Sequence, residues 1–98
     1  MRILFGTNEL ERLWTEPDAP SAFPVEIAKA YRKRIQIIQA AVDERDLYAI
    51  KSNHFEKLQG DRAHQRSLRL NDRWRVVLEI REGNPGKVVH IVSIEDYH

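Results

Sequence analysis

The sequence predicts one α+β domain over residues 1–98, with an N-terminal strand, two helices, and then a twisted antiparallel sheet. Three observations predict it. Apolar residues recur at three-to-four spacing in the first half of the chain and at alternate positions in the second. Clusters of turn-forming residues cut the second half into short runs. Helices followed by a block of strands pack as one layer against a sheet.

The elements follow in order. "RILF" is a short strand. "TNELERLW" is a helix with Thr7 as N-cap, Glu9 and Glu11 in its electropositive first turn, and Leu10, Leu13 and Trp14 on one face. "TEPDAPSAFP" has three prolines in ten residues and is a loop. Pro24 then stands where a first helical residue often does. Ala28, Tyr31, Ile35, Ile38 and Val42 keep helical spacing, so the second helix should run to about Asp43, with Lys29, Arg32, Lys33 and Gln36 on its wet side. "DERDLYAIKS" is expected to be a loop. "HFEKL" and "RSLRL" read as strands, the second with Leu68 and Leu70 inward. "WRVVLEI" sets Trp74, Val76, Leu78 and Ile80 on one face. "REGNPGK" is a turn, and "VVHIVSI" is the last strand. Trp14 and Trp74 are expected in the core, and His64 and His90 on the surface or in a strand.

Composition narrows the chemistry. With no cysteine, disulfides, thiol catalysis and cysteine-based zinc sites are excluded, and a cytoplasmic location fits. The histidines show no tight ligand spacing, so neither a metal nor a cofactor is expected. No apolar run approaches a membrane span. The net charge of +1 hides an uneven distribution: residues 51–75 carry seven basic and three acidic side chains. Such a concentration of cations is a footprint for a polyanion, or a solvated face without a ligand.

The turn at "LNDRW" fixes a register. A two-residue turn would put Trp74 on the polar face. A three-residue loop of Asn71, Asp72 and Arg73 instead pairs Leu70 with Trp74 and Leu68 with Val76, keeping the apolar residues together. The same register sets Arg69 opposite Arg75, an unfavourable like-charge pair unless an anion sits between them. Glu79, Glu56 or Asp96 could supply that anion from within the protein. Alternatively, the two guanidinium forks form a phosphate clamp, with Arg73 leaning toward the same ligand.

Four pieces in order, "LQGDR", "SLRLN", "DRWR" and a terminal "EDYH", resemble the HigB-like branch of the RelE/ParE toxins of bacterial toxin–antitoxin systems. "FGTNELERLW" is similar to that family's first helix. The likeness spans about Phe5 to His98. It implies the RelE-like fold, ribosome-dependent cleavage of mRNA in the A site, and inhibition of translation. It also implies a HigA-like antitoxin partner with a helix-turn-helix DNA-binding domain, through which operator DNA is met only indirectly. The family commonly places a histidine four residues before the glycine of its lysine–glycine pair. Here that position is Glu56, and the nearest histidine is His54, two residues earlier and on the same strand face.

The chemistry implied by the resemblance assigns roles. RNA carries its own nucleophile, the ribose 2′-hydroxyl, so the enzyme supplies a base, cations for the phosphorane, and an acid for the leaving 5′-oxygen. His54 or Glu56 is the base. Arg69 and Arg75 hold the phosphate, and Tyr97 or His98 stands at the leaving group. Asp96 orients His98 or holds a nucleotide, and Tyr97 can also stack on a base. Lys57, Arg62, Arg66 and Arg73 bind mRNA or the small ribosomal subunit through phosphates. Two other functions fit the residues less fully: a ParE-like inhibitor of DNA gyrase without nuclease activity, and a non-catalytic RNA- or partner-binding module.

Overall fold

The computed structural model describes residues 1–97; the proposed role of His98 lies outside them. The chain forms β1 (Arg2–Phe5), α1 (Asn8–Thr15), α2 (Val25–Ala40) and α3 (Glu44–Ala49). A 3₁₀ turn at Lys51–Asn53, β2 (Glu56–Lys57) and a second 3₁₀ turn at Gly60–Arg62 follow. The chain then makes β3 (Arg66–Arg69), β4 (Trp74–Glu82) and β5 (Lys87–Asp96). Five strands form one sheet in the order β1-β5-β4-β3-β2. The last four pair antiparallel, whereas β1 runs parallel to β5 at the edge, so the sheet is mixed.

One face of the sheet carries the core. Leu68, Val76, Leu78, Val89 and Ile91 meet Ile27, Tyr31, Ile35 and Ile38 of α2, all of them fully buried. Leu10 and Leu13 of α1 join them, and Thr7 caps that helix by accepting from the Leu10 N–H at 3.2 Å. The buried Tyr31 hydroxyl donates to the Leu10 carbonyl at 2.8 Å, tying α2 to α1, and burial pushes that phenol up. Trp74 and Phe23 meet edge-on at the margin of the core.

Three expectations are corrected. The second helix stops at Ala40, with the Ala41 N–H closing on the carbonyls of Ile37 and Ile38; Val42 lies beyond it and is 84% exposed. The segment read as a loop holds α3, capped by Asp43, which accepts from the Arg45 N–H at 2.9 Å. Its one fully buried side chain, Leu47, attaches it to the core. "HFEKL" contributes only a two-residue strand, because His54 before it takes the left-handed conformation at φ 44°.

The predicted β3–β4 register holds, with Leu68 opposite Val76 and Arg69 opposite Arg75. Between β4 and β5 the pairing shifts. Val77 faces Ser93 but Leu78 faces Ile91, which leaves Val92 as an extra residue in a β-bulge.

Candidate active site

Strand alternation puts Glu56, Ser67, Arg69, Arg75, Val77, Ser93 and Glu95 on the sheet face away from the helices. Arg69 and Arg75 stand side by side there, joined by residues from both directions along the chain. His54 comes from the 3₁₀ turn. Its left-handed backbone is a sparsely populated state for a non-glycine residue, held here by the His54 N–H to Lys51 carbonyl bond at 3.1 Å. Just before it, the fully buried Asn53 donates to the Leu47 carbonyl of α3 at 3.1 Å. So α3 and Asn53 carry His54 to the arginines.

The contacts there are specific. Arg69 Nη1 reaches His54 Nε2 at 3.2 Å. Arginine has no acceptor, so this contact is a hydrogen bond in the tautomer whose Nε2 accepts and whose Nδ1 carries the proton. Arg75 Nη1 donates to the His54 carbonyl at 3.1 Å and to the buried Ser67 Oγ at 2.9 Å. The Arg75 guanidinium lies 5.6 Å from the centre of the Tyr97 ring, a cation–π distance. The Tyr97 N–H donates to the Arg73 carbonyl at 2.7 Å, and Arg73 Nη2 donates to Asp96 at 2.8 Å. The β3–β4 loop therefore holds the tail against the site.

The like-charge opposition of Arg69 and Arg75 is relieved by the protein's own carboxylates. Arg69 pairs with Asp72, and Arg75 lies 3.6 Å from Glu56. Both acids are mostly exposed, at 89% and 58% of their side chains, so these pairs are weak. Of the other anions considered, Asp96 goes to Arg73 and Glu79 to Arg81. Arg81 and Gln65 hold the Glu79 carboxyl below its usual range.

His54, Glu56, Arg69, Arg75 and Tyr97 thus come together, with Asp96 and Arg73 beside them. Arg62 also reaches this face, but it is committed to Glu95 through two bonds of 3.0 and 2.7 Å. The guanidinium keeps the Glu95 carboxyl below the usual carboxylate range, although burial acts the other way. Lys57 and Arg66 are register partners pointing to the opposite face, and Arg66 bonds the Ala63 and Gln65 carbonyls. They are not gathered with the arginine pair. Sequence reasoning missed Ser67 and Glu95. Ser67 was visible as an outward residue two before Arg69; Glu95 becomes the neighbour of Arg75 only through the bulge.

Comparison with known proteins bears on the family and the fold. The family model described as the RelE-like toxin of the type II toxin–antitoxin system HigB matches residues 4–98. Toxin HigB-1 of Vibrio cholerae serotype O1 is 28% identical over 83 residues, covering 85% of this chain and 87% of that one. In structure the chain is similar to a YoeB/ParE toxin from Agrobacterium tumefaciens, with TM-score 0.60, 14% identity and full coverage of both chains. A chain of the RelBE2 toxin–antitoxin complex from Mycobacterium tuberculosis aligns at TM-score 0.46 and 16% identity, over 99% of this chain and 96% of that one. The fold is RelE-like, and the chain belongs to the HigB-like family, the RelE-like toxins of type II toxin–antitoxin systems.

Proposed function

We propose that this toxin is a ribosome-dependent mRNA endoribonuclease that cuts mRNA in the A site by 2′-hydroxyl attack and so stops translation. One observation carries the reading: two opposed guanidinium groups, Arg69 and Arg75, are each bonded to His54 on an open sheet face beside Tyr97. This is a cation pair with a proton acceptor already attached. An entering phosphodiester displaces Asp72 and Glu56 from the arginines. Drawing Arg69 onto the phosphate frees His54 Nε2, which takes the 2′-hydroxyl proton as the general base. Glu56, exposed on the same face, is the competing base.

The oxygen that attacks forms the bond to phosphorus, and the 5′-oxygen leaves with a proton from Tyr97 or His98. The products are a 2′,3′-cyclic phosphate and a 5′-hydroxyl end. The two arginines neutralise the charge that grows on the phosphorane oxygens. Tyr97, 45% exposed, is free to stack on an unpaired base.

Family membership supports the remaining assignments. The partner is an antitoxin of the HigA type with a helix-turn-helix domain, and operator DNA is met only through it. The target is mRNA on the small ribosomal subunit, so the toxin works in the cytoplasm. No described helix is long and apolar enough to cross a membrane. The test is to incubate purified toxin with a defined mRNA, with and without programmed ribosomes, and to map the 5′ ends. A truncation lacking Tyr97 and His98 runs in parallel. Cuts that need both ribosome and tail support the proposal; intact mRNA with a folded, antitoxin-free toxin overturns it and makes gyrase supercoiling the next assay.

A further inference from the structure

We propose that Arg34 of α2 is a positioning residue for the Arg69–Arg75 site: it anchors the end of β3 that carries Arg69 and adds a further positive charge next to that residue. The inference rests on the nuclease reading and deepens it. In an antiparallel ladder, successive residues direct their backbone groups to alternate neighbours. The Leu70 N–H bonds the Trp74 carbonyl of β4, so the Arg69 carbonyl points the other way, toward β2. But β2 reaches only Ser67 and Arg66, and past that point no described strand pairs with this edge of β3. Arg34 fills the gap from the helix layer, with Nε donating to the Arg69 carbonyl at 2.9 Å.

The charge is the second part of the argument. Among the described residues, Arg12, Arg45, Arg62, Arg69, Arg73, Arg75 and Arg81 each have a carboxylate within ion-pair distance; Arg2, Arg32, Arg66 and half-buried Arg34 do not, and of these four Arg34 is the one that bonds the Arg69 carbonyl. Its cation lies next to the residue that would meet a phosphate. Burial first, and then the neighbouring Arg69 charge, make Arg34 less willing to stay charged, so two cations crowd at this strand end. A polyanion arriving at Arg69 relieves that crowding. A helix residue thus ties the rigid core to the phosphate contact.

The test uses a fully 2′-O-methylated oligoribonucleotide, which lacks the nucleophile, alongside the ribosome-dependent cleavage assay. Removing the charge in Arg34→Met should weaken binding about tenfold, equivalent to about 1.4 kcal/mol. It should also flatten the log–log salt dependence by up to about 0.7, the value of one phosphate contact on a single strand. Arg34→Lys should restore both to within about threefold. Arg34→Gln keeps a donor for the Arg69 carbonyl but no charge, and should leave the slope flattened. Lys33→Met, which removes a neighbouring exposed charge, should change neither readout. A folded Arg34→Met or Arg34→Gln protein that binds with the affinity and salt slope of Lys33→Met overturns the inference, even if the wild type cleaves normally. Wild-type toxin that neither binds nor cleaves refutes the nuclease reading instead, and this inference with it.

Discussion

Replacing Arg75 by lysine keeps the charge and removes the fork, and the structure gives the size of the loss. The Arg75 side chain is only 14% exposed, and one of its amino groups serves both the His54 carbonyl and Ser67 Oγ. A lysine ammonium on a shorter reach can keep one of these bonds. The other, a hydrogen bond to a charged group, is worth about 1.5–3 kcal/mol. Part of the contact over the Tyr97 ring goes as well, about 0.5 kcal/mol at an exposed site. The expected destabilisation is therefore about 2 kcal/mol. An unfolding entropy of about 2.1 cal/mol/K per residue converts this, for a chain of this length, to a fall in melting temperature of about 10 °C. The catalytic effect should be larger, because a preorganised donor aimed at developing charge is worth about 10²–10³ in rate. Thermal unfolding by circular dichroism and single-turnover cleavage on programmed ribosomes measure the two effects. A variant within about 0.5 kcal/mol of wild type that also cleaves at the wild-type rate would show that the Arg75 contacts neither hold the site nor serve the phosphate.

Further expectations concern the parts that carry and flank the arginines. His54 occupies a left-handed backbone state that costs a non-glycine residue about 1 kcal/mol, so His54→Gly should unfold at higher urea than His54→Ala while both lose cleavage. Equal midpoints would mean that the backbone state is not strained. Asn53→Ala removes the bond to the Leu47 carbonyl and leaves that acceptor buried, a loss of about 1–3 kcal/mol with a matching fall in activity, read by urea denaturation and cleavage together. Glu95, held below its usual range chiefly by Arg62, contributes stability that is present above the ordinary carboxylate range and lost as pH falls through its folded value. Urea midpoints of wild type and Glu95→Gln should converge in acid and separate toward neutrality. Asp43, held at about 2 by Arg45, keeps its own acid sensitivity in both proteins. A constant gap from acid to neutral pH would show that the Arg62 pair adds no stability.

The hairpin was legible because two requirements, one apolar face and a workable turn, admit a single register. That register put Arg69 beside Arg75 before any coordinates. His54 and Glu56 were also expected on one face, and both touch the site arginines. The six-residue α3 was not legible: one buried leucine among charges has no period to detect, and Asp43 before a short acidic run resembles a turn as much as a cap. Val42 kept the helical spacing of Ile38, yet the helix ends at Ala40, two residues earlier, so spacing alone misled. Asp72 escaped notice as the anion for Arg69 because its pairing depends on loop side-chain geometry, which no pattern of residue types encodes. Arg34 escaped for a related reason: it acts through a carbonyl at the open end of another strand, 35 residues away in sequence.

Val92 has a consequence for the tail. Before it, odd-numbered residues of β5, Val89 and Ile91, face the helices; after it, Ile94 does, and the parity has switched. Which of two adjacent tail residues meets Arg75 is thus decided at Val92 and inherited by every position downstream. With the parity unswitched, Asp96 would face the arginines as a built-in competitor for the phosphate, and Tyr97 would turn toward the helices. What the tail presents to Arg75 is therefore set partly at Val92: lengthening β5 by one residue between Val92 and Tyr97 would exchange an aromatic ring for a carboxylate on that face without altering a single site residue.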